Sequence, residues 1–490
     1  MFRPDPQLAA QVFPPSHRNP VPASRYNLVV IGGGTAGLVC AAGAAGLGAK
    51  VALVERRALG GDCLNVGCVP SKALLRAAHA AHAVREAARL GVHATLDRID
   101  FPAVMARVRA VRQAISPHDS AARFTGLGVD VFLGEARFTS RDTVEVAGGP
   151  LRFARAVIAT GARPKMPDIP GLADVHPHTN ESIFEIDAQP ARLLVIGGGP
   201  IGCELGQAFQ RLGTHVTLVQ SNPTLLARES ADAAATIHAA LLAEGMAVHT
   251  RSRILRIEAG GAPDGAHRVR IHGEAGAAVV DVDAVLVAAG RQPNIEGLGL
   301  EAAGVAVTAS GVTVDEHLRT SNPAIYAAGD VCLPQAFTHA ADASARAVIQ
   351  NALFLGRKTV STSAIPRCTY TDPEVAHVGE TSGAGIVTHE VPWTDVDRAR
   401  TDDERQGGVR IHARGGLVVG GTIVGRDAGD LIGEVAVLVA RRVTLAQLAT
   451  IVHPYPTRAE AIRKAGDLHN RGRLTPAVRG LFERWLAWRR

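Results

Sequence analysis

Cys63 and Cys68 are separated by four residues in the run Gly60-Gly61-Asp62-Cys63-Leu64-Asn65-Val66-Gly67-Cys68-Val69-Pro70-Ser71-Lys72. A stretch of helical character follows, so the pair sits where a helix begins. The free N–H groups and positive dipole end of a helix N-terminus lower a thiol pKa and favour the reactive thiolate. Two thiols so placed read either as a redox pair or as two buried, inert cysteines. The spacing does not match a C-x-x-C zinc knuckle and no matching second pair occurs, so no metal ligands are assigned. Six cysteines in 490 residues are too few for a secreted disulfide scaffold. The expected compartment is the cytoplasm, where a disulfide is more often catalytic than structural. Cys40, Cys203, Cys332 and Cys368 are scattered and read as buried and inert.

Two glycine-rich turns could hold phosphate. The first is Gly32-Gly33-Gly34-Thr35-Ala36-Gly37, in which Gly32, Gly34 and Gly37 fit G-x-G-x-x-G. The first glycine allows a tight turn, the second lets the backbone approach a pyrophosphate, and the third lets helix pack on strand. Glu55 closes the next strand, 23 positions after Gly32, where an acid can bind a ribose 2′-OH. The second turn is Gly197-Gly198-Gly199-Pro200-Ile201-Gly202, with Gly197, Gly199 and Gly202 in the same places. The same offset lands on Gln220, which does not repel a 2′-phosphate, and Arg228 follows shortly after. This pattern leans towards NADPH over NADH.

Each turn needs a strand before it and a helix behind it. Leu28-Val29-Val30-Ile31 and Leu193-Leu194-Val195-Ile196 supply the first strands, and Val51-Ala52-Leu53-Val54 and Val216-Thr217-Leu218-Val219 the returning ones. A β-turn-α-β unit occurring twice gives an α/β fold with parallel sheets. Helices are expected over 71–90 and 101–115, and short strands over 129–157. The segments 157–164 and 285–293 end in breakers and read as domain exits. From about 361 strands and helices continue without a nucleotide turn. The length suggests about three domains. Hydrophobic residues at 47% and charged residues at 20% suit a globular chain. A net charge of +6 without a basic run interleaved with aromatics gives no footprint for nucleic acid. No run of 18 apolar residues predicts a transmembrane helix. The proline-rich residues 1–23 read as a flexible arm.

The run at 60–72 resembles that of the pyridine nucleotide-disulfide oxidoreductases, which include lipoamide dehydrogenase, glutathione reductase and mercuric reductase. The resemblance extends over 24–470. It includes Ala159-Thr160-Gly161-Ala162-Arg163-Pro164, Ala289-Gly290-Arg291-Gln292-Pro293-Asn294 and Thr320-Ser321-Asn322-Pro323-Ala324-Ile325-Tyr326-Ala327-Ala328-Gly329-Asp330. It implies two Rossmann-like dinucleotide-binding domains plus a C-terminal α+β dimerisation domain, in a homodimer. An FAD domain would cover 24–167 and 286–360, an NAD(P) domain 168–285 and the dimerisation domain 361–470. Gly32, Gly34, Thr35, Ala36, Gly37, Glu55, Gly61, Lys72, Thr160, Gly161, Gly329 and Asp330 would serve FAD, Asp330 at its ribityl chain. Gly197, Gly199, Gly202, Gln220, Arg228 and Gly290 would serve NADPH, with NADH left open. By resemblance, hydride passes from the nicotinamide to FAD N5 and the electrons go on to the disulfide. Cys68 would be the flavin-side sulfur, able to form a charge-transfer contact, and Cys63 the interchange sulfur facing substrate. Lys72 and Glu204 would be the ion pair near N5, where a paired lysine stabilises developing negative charge.

Disulfide-reducing members carry H-P-T-x-x-E in the last domain, its histidine serving as acid–base partner across the dimer interface. Here the stretch is His453-Pro454-Tyr455-Pro456-Thr457-Arg458-Ala459-Glu460. Aligning Thr457 and Glu460 puts Tyr455 in the histidine's place, with His453 two residues earlier. Imidazole titrates near 6.5 and phenol near 10, so Tyr455 is a hydrogen-bond donor and a poor base. Mercuric reductase is similar here, with F-P-Y-x-T-x-x-E. The stretch 477–490 lacks that enzyme's cysteine pair, and its cysteine-bearing N-terminal domain has no counterpart. The first expected acceptor is a soft metal ion held as a thiolate complex. A disulfide with His453 as acid–base and a quinone reduced at the flavin are the alternatives. A redox sensor docking on a membrane partner is the non-enzymatic one. In the tail, 471–490, Val478, Leu481, Phe482, Trp485 and Leu486 share one helical face, with Arg479, Arg484, Arg489 and Arg490 elsewhere. Such a basic amphipathic helix either packs on its own protein or docks on an anionic membrane or a partner.

Overall fold

The strand Tyr26–Ile31 lies at the middle of a parallel sheet. Val51–Glu55 and then Asp130–Leu133 add on one side, and the C-terminal part of Gly149–Ile158 and then Ile325–Ala327 on the other. The first part of Gly149–Ile158 also pairs with a meander, Ala136–Ser140 and Thr143–Val146. Both faces of the parallel part are covered, so its strands are continuous apolar runs. Leu28 and Val30 face helices Thr35–Gly46 and Thr338–Leu353, while Val29 and Ile31 face Phe132, Phe138 and Phe153. This is a computed structural model, and it describes residues 4–274, 276–354, 356–361 and 365–490.

A second parallel sheet repeats the design in the order Ala247–His249, His215–Val219, Arg192–Ile196, Ala284–Val287. Helix Pro200–Arg211 follows its second glycine turn, and an antiparallel sheet of Ser252–Glu258, His267–Gly273 and Gly276–Val282 precedes its last strand. The two expected exits pair with each other, Ala162–Pro164 running antiparallel to Arg291–Pro293. Helices Cys68–Glu86, with a 3₁₀ turn to Leu90, and Phe101–Ile115 match the expected stretches.

The chain divides into two compact units, 1–223 with 244–360, and 224–243 with 361–490. Residues 224–243 therefore group apart from the rest of the 168–285 segment. Glu229 pairs with Arg367 at 2.7 Å and Asp232 pairs with Arg410, which ties this segment into the second unit. That unit is built on an antiparallel sheet in the order Arg367–Thr369, Glu374–Gly379, Leu417–Gly425, Gly408–Arg414, Ile386–Pro392. Helices Ala428–Ala440, Leu445–Leu448 and Glu460–Gly472 share its core, with Trp393 fully buried.

The expectation of a flexible arm over 1–23 is corrected for residues 4–23, residues 1–3 lying outside the described residues. Pro6–Val12 is a helix capped by Asp5, whose Oδ1 accepts from the amides of Gln7 and Leu8 at 3.0 Å. Leu8 and Val12, one turn apart, are fully buried in the core that holds the first parallel sheet. Among the described residues no helix is long and apolar enough to cross a membrane.

Candidate active site

Both glycine turns are built alike. Gly32 and Gly197 have φ of +109° and +112°, and a Cβ would lie 2.3 Å from Ala159 O and 2.5 Å from Ala288 O. A Cβ on Gly37 would lie 1.7 Å from Gly32 O, and one on Gly202 1.9 Å from Gly197 O, so only glycine lets each helix start so close to its strand. Gly34 and Gly199 occupy the N-cap positions without any side-chain hydrogen bond, which leaves first-turn amides of Thr35–Gly46 and Pro200–Arg211 for an anion. Glu55 is more engaged than expected. Its oxygens accept from the amides of Gly33 (2.6 Å), Arg57 (2.6 Å) and Ala58 (3.2 Å), so it also fixes the turn. Burial pushes its carboxyl up, against the pull of these amides.

Other predicted cofactor residues sit at loops beyond these strands. Thr160 Oγ1 donates to Asn294 O at 2.7 Å, and Gly161, at φ +66°, accepts from the Asn294 amide at 2.9 Å. Gly290, at φ +112°, accepts from the Lys165 amide. Gly61 lies against Gly34, where a Cβ would come within 2.6 Å of its Cα. Gly329 and Asp330 form a tight turn after Ile325–Ala327, and burial pushes the Asp330 carboxyl up. Arg291 lies 3.6 Å from Asp330, pairs with Asp62, and donates to Ala162 O at 2.8 Å. Among the described residues its buried Nε makes no hydrogen bond. A cation with an unspent donor at the carboxyl end of the sheet, beside an open helix N-terminus, fits a phosphate-bearing cofactor. The charge of Arg291 and its partner Asp62 escaped the sequence reading, although both lie in motifs it used. At the second turn Gln220 is half-buried, its Oε1 accepting from the Ser221 amide at 3.1 Å. Arg228 is exposed and belongs to the other compact unit.

Cys63 lies in the short helix Gly61–Asn65, and Cys68 is the first residue of Cys68–Glu86. Both are free thiols, and the two sulfurs act on each other's titration. Interaction with Cys63 is the main reason why the Cys68 thiol lies well below its ordinary range, and interaction with Cys68 the main reason why Cys63 lies well above. Thr338, at the start of Thr338–Leu353, lowers the Cys68 pKa further with its hydroxyl 3.3 Å from Cys68 Sγ, as does the charge of Lys72 one turn on. Lys72 Nζ is 2.8 Å from Glu204 Oε2, so the expected ion pair is present. Glu204 comes from Pro200–Arg211, the helix behind the second glycine turn. The loop between the cysteines is pinned on three sides. Asn65 Nδ2 donates to Leu59 O and Gly61 O, Arg112 donates to Asn65 O at 3.0 Å, and Asn180 donates to Val66 O at 3.1 Å. Thr338, Arg112 and Asn180 were missed because each is distant in sequence and carries no local signature. Cys40 and Cys203 are fully buried as expected, whereas Cys332 and Cys368 are only partly so.

In the second unit the His453–Glu460 stretch is fixed by Arg458, which pairs with Asp402, Glu404 and Asp427. Tyr455 is 69% exposed, and its hydroxyl donates to Asp397 Oδ2 at 3.0 Å. Asp397 pushes the phenol above its ordinary range. Glu460 pairs with Lys464 at 2.9 Å, while its buried Oε2 has no hydrogen-bond partner among the described residues. His453 is not a solvated loop residue. Its side chain is 6% exposed, with Nε2 2.8 Å from Glu434 Oε1 and Nδ1 3.1 Å from Ile451 O.

Residues 26–348 match the family model described as pyridine nucleotide-disulphide oxidoreductase, and 365–466 match the dimerisation domain of the same family. The chain belongs to this family. It is 36% identical to a mercuric reductase of Streptomyces lividans over 90% of this chain and 96% of that one. It is 35% identical to a dihydrolipoyl dehydrogenase of Thermus scotoductus over 90% and 97%. A Cu(II) complex of the HOCl-induced flavoprotein disulfide reductase RclA from Escherichia coli has a TM-score of 0.75 at 26% identity, covering 89% of this chain and 98% of that one. As a member of the family the protein is an oxidoreductase that uses FAD and NAD(P)H with a redox-active disulfide, and its dimerisation domain makes it a homodimer.

Proposed function

We propose that the protein carries two electrons from NADPH, by way of Cys63 and Cys68, to a thiophilic metal ion presented as a thiolate complex. With Hg(II) the balance is NADPH plus Hg(II) giving NADP⁺, a proton and Hg(0). FAD, when bound, supplies the two-electron relay between nicotinamide and cysteines. Gly32, Gly34, Thr35, Ala36, Gly37, Glu55, Gly61, Thr160, Gly161, Gly329 and Asp330 would hold it. Gly197, Gly199, Gly202 and Gly290 would hold the nicotinamide cofactor. Gln220 supports NADPH, since no carboxylate stands there to repel a 2′-phosphate. Lys72, kept charged by Glu204, opposes developing negative charge. Cys68, with its lowered pKa, is the thiolate of the reduced pair, and Cys63 exchanges with the ligands of the incoming metal.

The observation that carries the choice of acceptor is Tyr455. Reducing a disulfide requires protons for the departing thiolates, and a neutral imidazole is suited to moving them. A phenol pushed above 10 by Asp397 is not. A metal ion takes up electrons without a proton of its own, and a low-pKa thiolate such as that of Cys68 can leave it unprotonated. The mercuric reductase relatives and the Cu(II) complex of RclA support the same direction. His453, paired with Glu434, favours a second reading, disulfide reduction with a displaced acid–base group. We place the protein in the cytoplasm, where a reduced thiol pair is maintained.

The test is anaerobic NADPH oxidation with thiol-complexed Hg(II) and, separately, with a panel of disulfides, comparing wild type with Cys63→Ser. Metal-dependent turnover that disappears in the variant supports the proposal. Turnover with disulfides alone overturns it and makes His453 the next residue to replace.

A further inference from the structure

We propose that the helix Pro476–Trp488 is a docking surface for an anionic lipid bilayer, which would hold this enzyme peripherally at a membrane. The helix is locally well specified: Pro476 occupies its first turn and the Thr475 side chain accepts from the Val478 amide at 3.3 Å. Yet it buries none of its residues. Leu481, Phe482, Trp485, Leu486 and Trp488 are all exposed, Trp488 at 76%. At about 100° per residue they form, with Val478, one apolar face; Arg479 and Arg484 border it on opposite sides, and Arg489 closes its C-terminal end. From there their long side chains can reach phosphate while the apolar face enters the acyl boundary.

Charge decides between occupants. Residues 473–490 hold five arginines and a single acid, Glu483, which is already paired with Arg479 at 3.1 Å. Arg484, Arg489 and Arg490 have no acidic partner among the described residues. Two copies of this helix laid face to face would oppose like charges, whereas an anionic headgroup layer complements them. Two tryptophans at one end of the face suit the interface, where an amphipathic ring is at home. The 13-residue helix is roughly 20 Å long, too short for the ~30 Å hydrocarbon core, so it lies on the bilayer without crossing it. The dimerisation-domain match ends at residue 466, so this surface lies outside the part of the chain that defines the family.

The chain has three tryptophans, and Trp393 is fully buried, so emission changes on binding report on Trp485 and Trp488. The full-length, FAD-loaded protein is floated with vesicles of phosphatidylcholine alone or phosphatidylcholine with phosphatidylglycerol. The expected result is co-flotation and a blue shift with the anionic vesicles only, weakened by salt. Arg484→Gln with Arg489→Gln should reduce affinity roughly thirtyfold. Trp485→Glu should abolish binding while NADPH oxidation is unchanged. No association with anionic vesicles at ~0.15 M salt, where the Debye length is about 8 Å, overturns the proposal, as does equal association with both vesicle types. A change of oligomeric mass in Trp485→Glu without any lipid binding overturns it in favour of a second copy of the chain.

Discussion

At the scale of single residues, the proposed chemistry rests on how differently two neighbouring thiols are treated. Cys68 stands at a helix start beside Thr338 and Lys72, and interaction with Cys63 is the main cause of its lowered pKa. Thr338→Val removes a donor worth about 1 kcal/mol, so the Cys68 pKa should rise by about 0.7 unit. The thiolate would then appear at higher pH than in wild type, which can be followed in the reduced protein by its long-wavelength absorbance beside the flavin. Tyr455 sets the second residue-scale expectation. With its hydroxyl given to Asp397 it offers no base in the neutral range. Tyr455→His would install one, and turnover with a small disulfide should increase on the order of tenfold or more relative to turnover with metal. No gain would argue that the residue does not act at the acceptor.

At the scale of elements, the two glycine turns and the helices behind them, which we propose hold the cofactors, were legible. A strand, a tight turn and a helix leave a local signature in which every residue has a steric reason, as the close approaches at Gly37 and Gly202 illustrate. The N-terminal helix was not legible. Seven residues between prolines are too few for a 3.6-residue period to show, and what orders them is the core they enter. Leu8→Ala should cost about 3 kcal/mol and lower the thermal midpoint of flavin release by several degrees. A midpoint equal to wild type would mean that this helix contributes nothing to holding the first sheet.

At the scale of the whole molecule, the family assignment makes the protein a homodimer, with an expected mass about twice the 51.1 kDa of the chain. The second unit exposes two apolar residues beside the Tyr455 loop, Val452 at 92% and Ile451 at 41%. A pair of this kind next to a rigid loop is what a second copy would cover. Val452→Asp should shift the protein towards monomers in sedimentation experiments, while an unchanged dimer would place the interface elsewhere.

The sequence alone determined those parts of the protein in which chemistry and local geometry coincide. These are the two glycine turns between strand and helix, the cysteine pair at a helix start, and the tyrosine at 455 where the family's disulfide reductases have histidine, because each is written in residues close together along the chain. Only the tertiary structure decided which distant groups complete them. Thr338 reaches Cys68 from 270 positions away, Arg112 and Asn180 clamp the loop between the cysteines, Arg291 stands between Asp62 and Asp330, and Glu434 takes up His453. Such partners are chosen by the packing of sheets and helices, and packing places side chains together without regard to their separation in sequence.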